Sequence, residues 1–160
     1  MNGFRELARK NKKISGAECI TLLEKETRGV LSVNGDNGYP YGMPMNHYYN
    51  SADGCIYFHC GKYGHRLDAL KNDPRVSFCV TEQGVKEEGE WAYTVRSVIV
   101  FGKIEIISDL KIIADISRAL SRKFTSDEGY IEKEIEQFAP ATLILKLKAE
   151  HICGKKVTES

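Results

Sequence analysis

The stretch His59-Cys60-Gly61-Lys62-Tyr63-Gly64-His65-Arg66 concentrates the residue types that could do chemistry in this 160-residue chain. Its two glycines let a ligand approach the backbone closely, and Lys62, His65 and Arg66 supply cationic donors. The segment follows an apolar, strand-like run and opens a short helical pattern. Free amides at a helix N-terminus attract anions, and an arginine can grip a phosphate through two parallel hydrogen bonds. The pattern suits a phosphate; a solvated basic loop of the same composition stays open as the alternative. A second cluster, Tyr93-Thr94-Val95-Arg96-Ser97-Val98, sets Arg96 and Ser97 in mid-strand. A barrel would have to bury or pair one of them, unless Arg96 points outward and Ser97 fills a tight packing site.

Other chemistries lack their residues. His47, His59, His65 and His151 show neither HExxH nor any close metal-ligand spacing, so no metal site is expected. There is no GxSxG elbow, no Walker lysine and no GxGxxG. Five cysteines (Cys19, Cys55, Cys60, Cys79 and Cys153) are scattered without a CxxC pair, which fits reduced thiols in a cytoplasmic protein.

These side chains must be positioned by elements that the spacing outlines. Ser15 and Glu18 form a capping box, predicting a helix through Ile20, Leu23 and Lys25 that stops at Gly29. A basic arm with Arg5, Arg9, Lys10, Lys12 and Lys13 precedes it, and reads as solvated. Val30-Leu31-Ser32-Val33 predicts a strand, and Asn34 to Gly38 a turn. Residues 39–49 look extended; Pro40 and Pro44 make them an irregular or edge strand. Strands follow at Cys55 to His59, Arg75 to Thr81 and Tyr93 to Ile107, with Gly102 marking a bulge or bend. A short helix from His65 to Asn72 lies between the first two. Helical spacing returns at Leu110, Ile113, Ile116, Leu120 and Phe124, then at Ile131 to Phe138. The last strand is Ala141 to Lys148, with Leu143, Leu145 and Leu147 on one face. Six strands and a few helices predict a mainly β (α+β) antiparallel barrel with flanking helices, in one domain spanning residues 1–160.

Bulk composition agrees with a globular domain: 42% hydrophobic and 28% charged residues. With 23 Lys and Arg against 22 Asp and Glu, the net charge of +1 argues against nucleic acid or an acidic membrane as partner. The start, MNGFRELARKNKK, has no apolar core to act as a secretory signal, and no apolar run approaches a bilayer span.

The two clusters, the segment Gly38 to His47, Asn72-Asp73-Pro74 and the run from Trp91 through Tyr93 to Lys103 together resemble the pyridoxamine 5'-phosphate oxidase-like flavin-binding split-barrel family. The branch they are most similar to is that of the nitroimidazole-resistance (Nim-like) proteins. The resemblance runs from Arg28 to Lys156 and includes the tail His151-Ile152-Cys153-Gly154-Lys155-Lys156. It implies a six-stranded split β-barrel, a homodimer with FMN at its interface, and an oxidoreductase that reduces small nitro-aromatic or related compounds. Met43, Pro44, Met45, Asn46 and His47 would run beside the isoalloxazine and offer it backbone hydrogen bonds. His59 and Cys60 would end a strand at the ribityl chain and phosphate. Lys62, His65 and Arg66 would hold the phosphate, with Arg96 and Ser97 reaching it or the ribityl chain from the long strand. Met43, Met45, Tyr48 and Trp91 would line a substrate pocket, and the face of Leu143, Leu145 and Leu147 would be partly interfacial. The chain departs from the vitamin B6 oxidases: His65-Arg66 stands where they carry Arg-Lys, and Ser97 where they carry Gln. The other implied readings are a flavin- or haem-binding protein without turnover and a pyridoxamine 5'-phosphate oxidase.

Overall fold

The computed structural model describes residues 3–159. Its elements, in chain order, are α1 (Gly16–Lys25), β1 (Arg28–Asn34), β2 (Pro40–Asn46), β3 (Tyr48–Asn50), β4 (Cys55–Gly61), α2 (His65–Asn72), β5 (Arg75–Thr81), β6 (Tyr93–Ile107), α3 (Leu110–Ser121), α4 (Glu128–Phe138) and β7 (Thr142–Glu159). Every strand pairing is antiparallel, in the order β2-β1-β5-β6-β7-β4-β3.

That order closes a barrel. β2 and β3 lie at opposite edges of the sheet, yet only His47 separates them in the chain. The two edges must therefore come together at that corner, and the sheet curls until they do. The fold is the split barrel that the sequence implies, with seven strands in place of six. The difference arises because one extended segment, residues 40–50, is shared: β2 pairs with β1, and β3 pairs with β4. The closure is partial. β3 covers only Cys55 to Tyr57 of β4, and the remainder of that β4 edge faces the unpaired edge of β2 across a split.

Inward residues alternate along the strands: Leu31 and Val33, Met43 and Met45, Phe78 and Val80, Val98 and Val100, Leu145 and Leu147. α1 adds Cys19, Leu22 and Leu23 to this core. From Cys55 to Phe58, β4 is buried on both faces, which is why that part of its sequence reads as a continuous apolar run. Ile56, Phe58 and Cys60 enter the barrel, whereas Cys55 and Tyr57 pack outside it against Ile113 and Ile116 of α3.

Several expectations change. The capping box forms at Ser15 and Glu18, but α1 ends at Lys25 with Glu26 already extended. Gly29 belongs to β1, where a Cβ would strike the Cys79 carbonyl and the Phe78 ring. Leu145 and Leu147 are sealed core residues and Leu143 packs against them, so that face is not an interface. The last strand runs to Glu159 because it pairs with the whole of β6. Its register shifts at Phe101/Gly102, the bulge that Gly102 predicts; a Cβ there would collide with the Lys148 carbonyl. The basic arm is partly docked: Lys13 bridges to Lys155, and Phe4 stacks on His151 with ring centroids 5.0 Å apart.

Candidate functional site

The split leaves a cleft of about 500 Å³ lined by Arg28, Pro44, Met45, Asn46, His59, Cys60 and Arg66. Each wall follows from the topology. Pro44, Met45 and Asn46 lie on the unpaired edge of β2, where alternate backbone groups have no strand to bond. His59 and Cys60 come from the part of β4 that β3 leaves uncovered. Arg28 arrives through the β1–β2 hairpin, which pairs it with Asn46. Arg66 reaches across from α2, and its Nε donates to Met43 Sδ at 2.9 Å.

A recess of about 260 Å³ adjoins the cleft and shares Cys60 and Arg66 with it; Tyr41, Gly61, Tyr63, Gly64, His65 and Leu67 complete the lining. Gly64 is the N-cap of α2 at φ 127°, a conformation that side chains other than glycine's resist, and no side chain caps the helix. Leu67, Ala69 and Leu70 are buried and anchor α2, with Leu67 also lining the recess at the helix N-terminus. The first amides thus stay free to bind an anion. Neither hollow is lined by a carboxylate.

Two protonation states follow. Burial pushes the His59 pKa below its ordinary value, and the Arg66 charge adds to this. Burial raises the Cys60 pKa, against the opposing pull of Arg66. At neutral pH the cleft therefore holds a neutral imidazole and a thiol beside two guanidinium groups.

The expected site residues separate into two groups. Pro44, Met45, Asn46, His59, Cys60 and Arg66 meet in the cleft, and His65 stands in the recess, stacked on Tyr41 at 4.2 Å. Met43 is buried and touches the site through Arg66. Lys62 is exposed on the loop and lines neither hollow.

His47 is the clear correction. Its ring is fully buried with Nε2 2.7 Å from the Leu23 carbonyl, its N–H donates to Thr27 O, and its carbonyl accepts from Lys123 Nζ at 2.8 Å. Both backbone groups are committed to holding the barrel corner, so none is left for a ligand. Arg96 and Ser97 also lie apart from this cleft. Arg96 has inward parity on β6 and is paired with the buried Glu82 at 3.2 Å; Ser97 faces outward beside Lys155. Of the other expected pocket residues, Tyr48 packs toward α3 and Trp91 is exposed.

Arg28 and Tyr41 are site residues that sequence reasoning missed. The turn after Asn34 carried the signal for Arg28. Once Asn34 opposes Pro40, two-residue alternation forces Arg28 opposite Asn46.

Among the described residues, no group of three or more His, Cys, Asp or Glu could hold a metal ion, and no helix is long and apolar enough to cross a membrane.

A family model described as pyridoxamine 5'-phosphate oxidase matches residues 15–156. Among curated proteins, none matches the sequence. Solved structures share the fold. A conserved hypothetical protein from Mycobacterium tuberculosis is 20% identical at TM-score 0.78, covering 94% of this chain and 90% of its own. A candidate 5-nitroimidazole antibiotic resistance protein from Bacteroides thetaiotaomicron is 18% identical at TM-score 0.73, covering 97% of each chain. An FAD-binding protein from Mesorhizobium loti is 22% identical at TM-score 0.63, covering 91% and 97%.

Proposed function

The chain belongs to the pyridoxamine 5'-phosphate oxidase family, and from that premise we propose that it binds FMN in the split and passes electrons to small nitro-aromatic or related compounds. The charge pattern of the cleft carries the reading. Arg28 and Arg66 face one hollow, the free amides of α2 adjoin it, and the carboxylate at its edge, Asp36, is 3.6 Å from His65 and outside both linings. A phosphate dianion requires such converging donors. The cleft volume also falls in the range of roughly 300–1,000 Å³ typical of small-molecule sites. Neighbours of the same fold described as FAD-binding and as a candidate nitroimidazole-resistance protein support a flavin and this class of acceptor.

In this reading Arg66, His65 and the Gly64 end of α2 hold the phosphate. The free edge of β2 at Pro44 to Asn46 lies along the ring system. Bound flavin supplies the redox chemistry. His59, whose pKa desolvation lowers, lines the cleft with an imidazole that can donate one hydrogen bond and accept another. Cys60 remains a thiol and packs.

The active unit is a homodimer in the same proposal. Val30, Cys79, Ile99 and Cys153 fall in register across four adjacent strands on the outward face of the barrel, and Phe101 stands two residues along from Ile99. Val30, Ile99 and Phe101 are exposed there. Burying that row in a second copy would also carry Ser97 and Lys155, a register pair on the same outward face, toward a shared site.

Purified protein should show the visible absorbance of flavin, release FMN on denaturation, and bind FMN more tightly than riboflavin. After anaerobic reduction, a 5-nitroimidazole should reoxidise the flavin faster than in a protein-free blank. Protein that binds no flavin overturns the proposal. Bound flavin without faster reoxidation leaves a cofactor-holding protein and removes the turnover claim; a haem spectrum favours the other binding class.

A further inference from the structure

A second hollow, of about 230 Å³, lies outside the barrel under the helical layer. His59, Ser117, Ser121, Glu134, Ile135, Phe138, Ala139 and Thr142 line it. His59 also lines the cleft of the split, so the two hollows share that residue.

The hollow is built by a change of residue type along α3. Ile113 and Ile116 seal the outer face of β4 over Cys55 and Tyr57. Ile113, Ser117 and Ser121 form one i, i+4 row. Where that row reaches the end of β4, isoleucine gives way to two serines, and the apolar packing opens. α4 supplies the opposite wall. There Ile131 is buried, and Glu134, Ile135 and Phe138 face the space.

The lining is chemically one-sided. Ile135, Phe138 and Ala139 are apolar. Its polar groups are the hydroxyls of Ser117 and Ser121, the Glu134 carboxylate and, at the boundary with the cleft, His59; Thr142 already donates to the Phe138 carbonyl at 2.8 Å. The nearby arginines are committed elsewhere, Arg118 to Asp115 and Glu132 and Arg122 to Glu128. Glu134 takes no part in these ion pairs. A half-buried carboxylate without a cation is a recognition element for one. At about 30 Å³ per water, the space equals roughly eight waters, enough for part of a single-ring molecule.

Resting on the flavin reading above, we propose that this hollow is the specificity subsite of the electron acceptor. It takes the protonated-amine or ring N–H end of a compact, single-ring substrate, with Glu134 as the partner. The electron-accepting end passes His59 into the cleft.

The test uses two matched probes, 5-nitroimidazoles carrying an aminoethyl or a hydroxyethyl arm, with the flavin-loaded protein. Glu134→Gln should raise KM for the aminoethyl probe about tenfold and leave its kcat, the KM of the hydroxyethyl probe and the affinity for FMN unchanged. Ser121→Leu, which fills the hollow, should raise KM for both. An unchanged preference between the probes in Glu134→Gln overturns the proposal. A second measurement needs no turnover: amide chemical shifts of Ser117, Ser121 and Glu134 on adding the aminoethyl probe to flavin-free protein. Shifts there in a chain that binds no flavin would uphold the subsite and sink the flavin reading. No shifts in a chain that binds FMN tightly would sink the subsite alone.

Discussion

Acid should unfold this protein chiefly through His47, the residue at which the barrel closes. Its ring is fully buried, and its Nε2 donates to the Leu23 carbonyl because a carbonyl can only accept. Nδ1 then lies buried without a partner. Protonation would put an unpaired charge at Nδ1, with the Lys123 ammonium close by on the His47 carbonyl. Burial first and the Lys123 charge second push the His47 pKa down from 6.5 to about 4. Between those values the unfolded chain binds more protons than the native one, so stability is intact above pH 6.5 and is lost as pH falls toward 4. At about 1.4 kcal/mol per pH unit the loss approaches about 3 kcal/mol, a large share of the roughly 5–15 kcal/mol that holds a domain together. Urea unfolding followed by far-UV circular dichroism at pH 7, 6, 5 and 4 measures it. His47→Gln keeps an amide donor for Leu23 and removes the titration. It should cost about 1 kcal/mol at pH 7 yet lose much less stability than wild type on acidification. Other groups, His59 among them, titrate alike in both proteins and cancel in the difference. Equal acid losses in the two proteins would refute the reasoning.

Arg66→Ala should weaken FMN binding about ten- to hundredfold, from roughly 1.5–3 kcal/mol per charge-assisted bond, while riboflavin binding changes little; calorimetric titration of both ligands reads the difference. Arg96→Ala should destabilise the chain by about 1–3 kcal/mol, because the buried Glu82 carboxylate loses its guanidinium and keeps only the backbone N–H of residue 96, and adding Glu82→Gln should restore part of it in denaturant melts. Ile99→Glu with Phe101→Glu puts charge on the exposed apolar row of the sheet; sedimentation should show monomers that have lost FMN, and a variant that still forms dimers would exclude that face as the interface.

Local pattern carried much of this protein. Ser15 and Glu18 specify their capping box because its hydrogen bonds span three residues. The glycine at position 102 announces the bulge, and the loop from His59 to Arg66 shows on its face that it could cradle an anion. The alternation in Arg75 to Thr81 and Tyr93 to Ile107 gives two strands close to their observed limits, because side-chain period reports which face is buried. What period cannot report is which strands meet. Closure at His47 depends on β2 and β3 reaching opposite edges of one sheet, and nothing within residues 40–50 encodes the far partner. The capture of Arg96 by Glu82 and the arrival of Arg28 in the cleft were decided the same way. His59 reads in the sequence as a strand-end residue at the cofactor; only the uncovered edge of β4 and the serines of α3 set it between two hollows. Residues that are neighbours along the chain are held by short-range sterics and hydrogen bonds, which the sequence states directly. Residues that become neighbours through folding owe their contact to the closure of the whole barrel, which only the tertiary structure determines.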